Sequence, residues 1–259
     1  VALRPYSIRS PQFDLTSGGI RVLYGLYGWL LAKGQLVFMN AMFENPDFVG
    51  IYTDIHKGND LGANTVVRYL LNKVGVMGGV NPATGEWETG QTSFDPTDRI
   101  YYFSKLFGET EPDNYMFLPI LNTHLFRDQK KKRDRRAVFV GKGVDTGLHQ
   151  RGATIIDRSL AQDQQELADL LNECEVLYSY DPVSAMTEIA RLCGCRVVYL
   201  SETYTREDYA NKYEAGVNGM SFGTDEGVEL DTEAFTQHYL DLRETFSKRL
   251  DIFIESTQQ

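Results

Sequence analysis

With 259 residues and 26 Lys and Arg against 36 Asp and Glu, the chain is long enough for one large α/β domain or two modest ones, and its net charge of −10 has the wrong sign for a protein that tracks nucleic acid across a broad basic face. Hydrophobic residues at 42% and charged residues at 24% match an ordinary globular protein and argue against disorder. No apolar run reaches the ~18 residues needed to cross a bilayer, and no secretory pattern opens the chain, so a cytoplasmic location is expected.

In chain order, Ser17-Gly18-Gly19 precedes a predicted helix over Ile20 to Lys33, with Ile20, Leu23, Leu26, Tyr27, Leu30 and Leu31 at helical spacing and Gly34 as its C-cap. Apolar runs at Leu36 to Ala41 and Phe48 to Tyr52 predict strands. Val66, Val67, Leu70 and Leu71 predict one face of a second helix from about Asn64. Residues 78–98 carry little periodicity and many Gly, Pro, Thr and Asp residues, the pattern of a long loop. Strands are predicted again at Arg99 to Ser104 and Tyr115 to Leu121.

The run Arg127 to Arg136, RDQKKKRDRR, reads either as a solvated interdomain linker or as a surface drawn to an anionic membrane or a charged glycan acceptor, through Lys130, Lys131, Lys132, Arg133, Arg135 and Arg136. Beyond it, alternation is clearer. Strands are predicted at Ala137 to Val140, Ala153 to Asp157, Val176 to Ser179 and Arg196 to Leu200. Helices are predicted at Asp163 to Cys174, from Asp181-Pro182 to about Cys193, and at Thr232 to Glu255, with a polar Gly-rich stretch over 212–231. Alternation of this kind favours parallel sheets. Cys174, Cys193 and Cys195 lack CxxC spacing and lie in apolar segments, which predicts buried thiols rather than metal ligands.

Chemistry concentrates in the block Cys174 to Leu200. A helix opening at Asp181-Pro182 would present unpaired N–H groups to a phosphate, and Glu188, about two turns on, could accept the hydroxyls of a ribose. In Val138 to Gly147, VFVGKGVDTG, glycines let the backbone approach an anion and Lys142 could neutralise a diphosphate. The stretch Tyr52 to Ala63 places Asp54, His56, Asn59 and Asp60 after a strand, where an acid or a histidine could serve as general base or could merely shape turns. No D-x-D triplet, G-x-G-x-x-G fingerprint, Walker A loop or G-x-S-x-G elbow is present.

The pattern Glu188-Ile-Ala-Arg-Leu-Cys-Gly194-Cys-Arg196-Val-Val resembles the E-A-x-x-x-G-x-P-V-V segment of GT-B fold glycosyltransferases, with Arg196 where that family has proline and Tyr180 where its retaining branch has a second glutamate. Tyr52 to Ala63 is similar to a stretch of bacterial polysaccharide and O-antigen type nucleotide-sugar enzymes. The resemblance implies an α/β fold of two Rossmann-like domains with a deep interdomain cleft: an acceptor domain over 1–129, a nucleotide-sugar domain over 136–259, and a C-terminal helix returning towards the first. It implies a glycosyltransferase that needs no metal or other cofactor and moves a sugar from a nucleotide-sugar donor to a glycan or other hydroxyl acceptor, in polysaccharide or glycoconjugate synthesis. The alternatives are a catalytically inactive binding or scaffold subunit and another α/β nucleotide-sugar enzyme. Lys142, Asp54 and His56 would be catalytic. Gly18, Gly19, Gly141, Gly143, Arg158, Tyr180, Asp181, Ser184 and Glu188 would hold the donor.

Overall fold

The computed structural model describes residues 3–10, 18–76, 79–80, 87–88, 92–108, 114–224 and 227–259. Among these, the strands form two five-stranded parallel sheets and one antiparallel ribbon. The chain divides into two units, Val1–Ile120 with Leu242–Gln259, and Leu121–Asp241. The α/β class with parallel sheets expected from the alternation is what the structure shows.

In the first unit β1 (Tyr6–Ile8) leads to α1 (Gly18–Ala32), β2 (Val37–Met39), β3 (Val49–Thr53) and β4 (Thr65–Leu70). A ribbon of β5 (Gly79–Val80) and β6 (Trp87–Glu88) follows, then β7 (Arg99–Tyr102). The parallel order is β2-β1-β3-β4-β7. Helix α1 ends as its glycine predicts: Gly34 takes φ +75°, its amide donates to Leu31 and that of Gln35 to Leu30, a Schellman closure. Val22, Leu23, Leu26 and Leu30 pack with Tyr6, Ile8, Val49, Ile51, Val67 and Tyr69 on one face of the sheet. Phe48, Tyr52, Leu61, Ala63 and Val66 fill a second cluster, which partly buried Phe38 joins.

Two expectations fail in this unit. The helix predicted from Asn64 is the strand β4, buried from Val66 to Leu70. A strand covered on both faces reads as a continuous apolar run, which over six residues also satisfies helical spacing. The strand predicted at Tyr115 to Leu121 reduces to one bridge, Tyr102 to Tyr115. Its apolar residues are buried as filler: Leu118 lies so close to α1 that a Cβ on Gly25 would fall 2.9 Å from Leu118 Cδ2. Of the loop expected over 78–98, residues 78, 81–86 and 89–91 lie outside the described residues, as does Ser17.

The second unit runs β8 (Arg135–Phe139), β9 (Thr154–Ile155), α2 (Arg158–Gln162), α3 (Gln164–Glu173), β10 (Cys174–Ser179), α4 (Met186–Leu192), β11 (Arg196–Tyr199), α5 (Arg206–Lys212) and β12 (Met220–Phe222). Its sheet order is β9-β8-β10-β11-β12. Numbered within each unit, both sheets therefore have the order second, first, third, fourth, fifth, and both reverse direction between their first and third strands. The strand β12 lies inside the Gly-rich stretch that suggested only loop. The final helix α6 (Thr232–Thr257) begins in the second unit and ends in the first, where Phe246, Leu250 and Phe253 complete the core.

Asp163 caps α3 as its spacing predicts, accepting from the amides of Gln165 and Glu166. Cys174, Cys193 and Cys195 are buried free thiols, and burial pushes their pKa values up, to about 11 for Cys174 and about 12 for Cys193. The described residues contain no helix long and apolar enough to cross a membrane. The basic run is charge-compensated: Lys130 and Arg133 pair with Asp128, Lys131 with Asp169, Lys132 with Asp134, Arg135 with Glu173 and Arg136 with Glu175.

Candidate functional site at the strand reversal of the second sheet

In open parallel sheets, ligands bind outside the carboxyl ends of the strands, where the strand order reverses. In the second unit that place lies beyond β8 and β10, and it is where Gly141, Lys142, Gly143, Tyr180, Asp181 and Ser184 meet. Gly141 takes φ +56°, and a Cβ there would stand 2.0 Å from Asp181 Oδ2; a Cβ on Gly143 would stand 1.9 Å from the Tyr180 carbonyl oxygen. These glycines let one turn sit directly on another. Their closest neighbours are protein atoms, so the bare backbone they expose is already spent on packing.

Asp181 ties the two turns together. Its Oδ2 accepts from the Lys142 amide at 3.0 Å and its Oδ1 from the Val183 amide at 3.1 Å. Lys142 Nζ donates to the Val183 carbonyl at 2.9 Å and lies 3.5 Å from Asp181 Oδ1, with its side chain 45% exposed. The expected helix start at Asp181-Pro182 is thus corrected. Helix α4 opens at Met186 behind Ala185, and the Met186 amide is met by Ser184 Oγ at 3.2 Å and that of Thr187 by the Ser184 carbonyl at 3.2 Å. Asp181 bonds to loop amides instead of capping a helix, and the phosphate seat predicted there is not formed by α4.

The loop after β8 is pinned at its far end by Tyr180, whose Oη accepts from the amides of Leu148 at 2.9 Å and His149 at 3.1 Å. His149 Nδ1 lies 3.1 Å from the same Oη and 3.4 Å from Asp145. Neither His149 nor this use of Tyr180 is visible in the sequence, because the contact joins residues 31 and 32 positions apart.

Glu188 does not join these loops as a free carboxylate. It is 4% exposed, accepts a short hydrogen bond from Tyr213, and burial raises its pKa from 4.5 to about 7. Since α4 starts late, it sits in the first turn of the helix. Arg158 is exposed at the start of α2, behind the N-cap Asp157.

The remaining candidates belong to the first unit. Gly18 and Gly19 form the first turn of α1; a Cβ on Gly19 would meet Leu71 Cδ1 at 3.3 Å, whereas Gly18 faces open space. Asp54 is buried after β3, where its Oδ1 accepts from the Leu71 amide at 3.4 Å. His56 Nε2 lies 3.3 Å from Asp60 Oδ1, its ring packs on Tyr52 at 4.8 Å, and burial lowers its pKa. A group that sequence reasoning missed stands beside them. Arg68, 3% exposed within β4, is 2.7 Å from Asp98 and also donates to the carbonyls of His56 at 3.0 Å and Gly58 at 2.8 Å. An arginine inside an apolar strand was the available signal, since a buried charge requires a partner.

Fold and site define an α/β protein of parallel sheets with a cluster of polar loop groups at the strand reversal of its second unit. No protein-family model and no curated protein matches the chain. Among solved structures, the solution structure of the E. coli RcsC C-terminus (residues 700–949), containing a linker region and phosphoreceiver domain, matches at 13% identity over 93% of this chain and 94% of that one, with a TM-score of 0.24. No glycosyltransferase is among these findings, and the GT-B identification and the role in polysaccharide synthesis are withdrawn. A TM-score that low carries no argument of its own for this chain's fold or activity. The roles the resemblance implied for Lys142, Asp54, His56 and Glu188 lose their warrant with it.

Proposed function

We propose that the second unit is a binding module for a small phosphorylated molecule, held over the ends of β8 and β10 with Lys142 supplying the positive charge. The observation that carries the reading is the position of Lys142: a half-exposed side chain at the strand reversal, its ammonium held by the Val183 carbonyl and beside Asp181. Ser184, partly buried on the adjoining loop, adds a hydroxyl. Asp181 keeps the lysine in place and makes the site selective against weakly charged ligands, because an incoming anion must outcompete a carboxylate already in reach.

The test is a thermal-shift and calorimetry screen with inorganic phosphate, sugar phosphates and nucleoside mono- and diphosphates, in EDTA so that charge must be met by the protein. A ligand of the folded state raises the melting temperature by mass action. Lys142→Gln is expected to weaken the best ligand by about tenfold or more, the scale of a lost charge-assisted hydrogen bond. If no phosphorylated compound shifts the transition at millimolar concentration, or if the glutamine variant binds as well as the parent, the proposal fails.

A further inference from the structure

Away from these loops, the second unit buries a charged cluster that no binding role uses. Arg191 is wholly buried on α4, with its guanidinium 4.1 Å from the Phe235 ring centroid of α6. Nε donates to the Thr187 carbonyl at 3.1 Å. Nη1 is shared among the carbonyls of Ala215 at 3.2 Å, Gly216 at 2.9 Å and Asn218 at 3.2 Å. Nη2 is buried without a hydrogen-bond partner. Three residues earlier on the same helix, and so on the same side, Glu188 is buried with Tyr213 donating to it.

One guanidinium therefore serves two claimants. It staples residues 215–218, which lead into β12, and it is the cation nearest in sequence and environment to a buried carboxyl. We infer that Glu188, Arg191 and Tyr213 form a buried proton-binding centre whose ionisation state sets how firmly residues 213–218 and the start of α6 are held on α4. With Glu188 neutral, Arg191 is left to the three carbonyls. With Glu188 ionised, an uncompensated charge in the core draws the guanidinium, through its unused Nη2, away from them.

The titratable groups facing Glu188 are Arg191 on its own helix, Tyr209 on α5 and Tyr213 beyond it, and both tyrosines are pushed well above their ordinary range by burial. Burial raises Glu188 to about 7 against the opposing pull of Tyr213 and Arg191. The sign follows from linkage. A carboxyl whose pKa is higher folded than unfolded contributes stability that is fully present below about 4.5 and lost as pH rises through about 7.

The experiment uses the full chain. Between pH 5 and 8 the unfolding equilibrium constant of the parent should rise by about two orders of magnitude relative to Glu188→Gln, which is locked neutral. Over the same range, amide exchange of residues 214–220, corrected for intrinsic rates, should accelerate at least tenfold in the parent only. Should the glutamine variant fail to fold, the carboxyl ¹³C shift of Glu188 in the parent decides. A midpoint near 7, moving upward in Tyr213→Phe, supports the centre. A midpoint below about 5, equal pH slopes in parent and glutamine variant, or exchange at 214–220 that ignores pH, overturns it.

Discussion

Replacing Asp98 by alanine is expected to destabilise the first unit by about 3–5 kcal/mol, the scale measured when one member of a buried ion pair is removed. The pair qualifies: the side chains of Arg68 and Asp98 are 3% and 4% exposed and meet at 2.7 Å. Truncation leaves a guanidinium in the central region of a sheet, with only the carbonyls of His56 and Gly58 and the faces of Tyr52 and Phe94 around it. The double variant Arg68→Met with Asp98→Leu should be markedly less costly than Asp98→Ala alone, because it removes the stranded charge together with its partner. Urea denaturation of the three variants measures both. A loss under 1 kcal/mol in Asp98→Ala would show that water reaches the arginine and that the pair is not structural.

Gly143→Ala should cost about 3 kcal/mol and should disturb the proposed site more than it disturbs the fold elsewhere. Its Cβ would lie 1.9 Å from the Tyr180 carbonyl oxygen and 2.5 Å from the carbonyl carbon, both backbone atoms at the end of a strand that pairs on both edges. Such a neighbour cannot rotate aside as the end of a flexible side chain can. Either the turn carrying Lys142 lifts away from Asp181, or β10 shifts. In the first case ligand affinity falls further than stability; in the second both fall together. Gly147→Ala is the matched control, since Gly147 takes φ +72° but has nothing within 4 Å of its Cβ position, so only the milder backbone term of about 1 kcal/mol applies. Equal melting temperatures for Gly143→Ala and the parent would mean that the two turns are not packed as described.

Much of this architecture is local and was therefore readable. Helix α1 follows from the spacing of Leu23, Leu26 and Leu30 and from Gly34, which completes the predicted left-handed closure. Asp163 caps α3 through amides two and three residues on. Strands β3, β8, β10 and β11 follow from short apolar runs, and the α/β alternation led to parallel sheets. Each of these depends on contacts within a few residues, or on a periodicity that repeats within one element.

What the sequence did not show shares a physical cause in contacts between distant residues. The stretch Thr65–Leu70 became a strand because neighbours on both edges, β3 and β7, offered hydrogen bonds that propensity does not register. Three cations of the basic run pair with Asp169, Glu173 and Glu175, 38 or 39 residues away. Glu188 had the spacing of a ligand-binding carboxylate, but whether a carboxylate meets water or the core is settled by what packs over it, here Tyr213 and the segment held by Arg191. By itself, then, the sequence determined the class of fold, many of the elements, the ends of α1 and α3 at Gly34 and Asp163, and the burial of the cysteines. Only the tertiary structure decided that Gly141 and Gly143 serve close packing, that Asp181 ties two turns, and that Glu188 is shut into the core, because burial and desolvation are properties of an environment that the whole chain assembles.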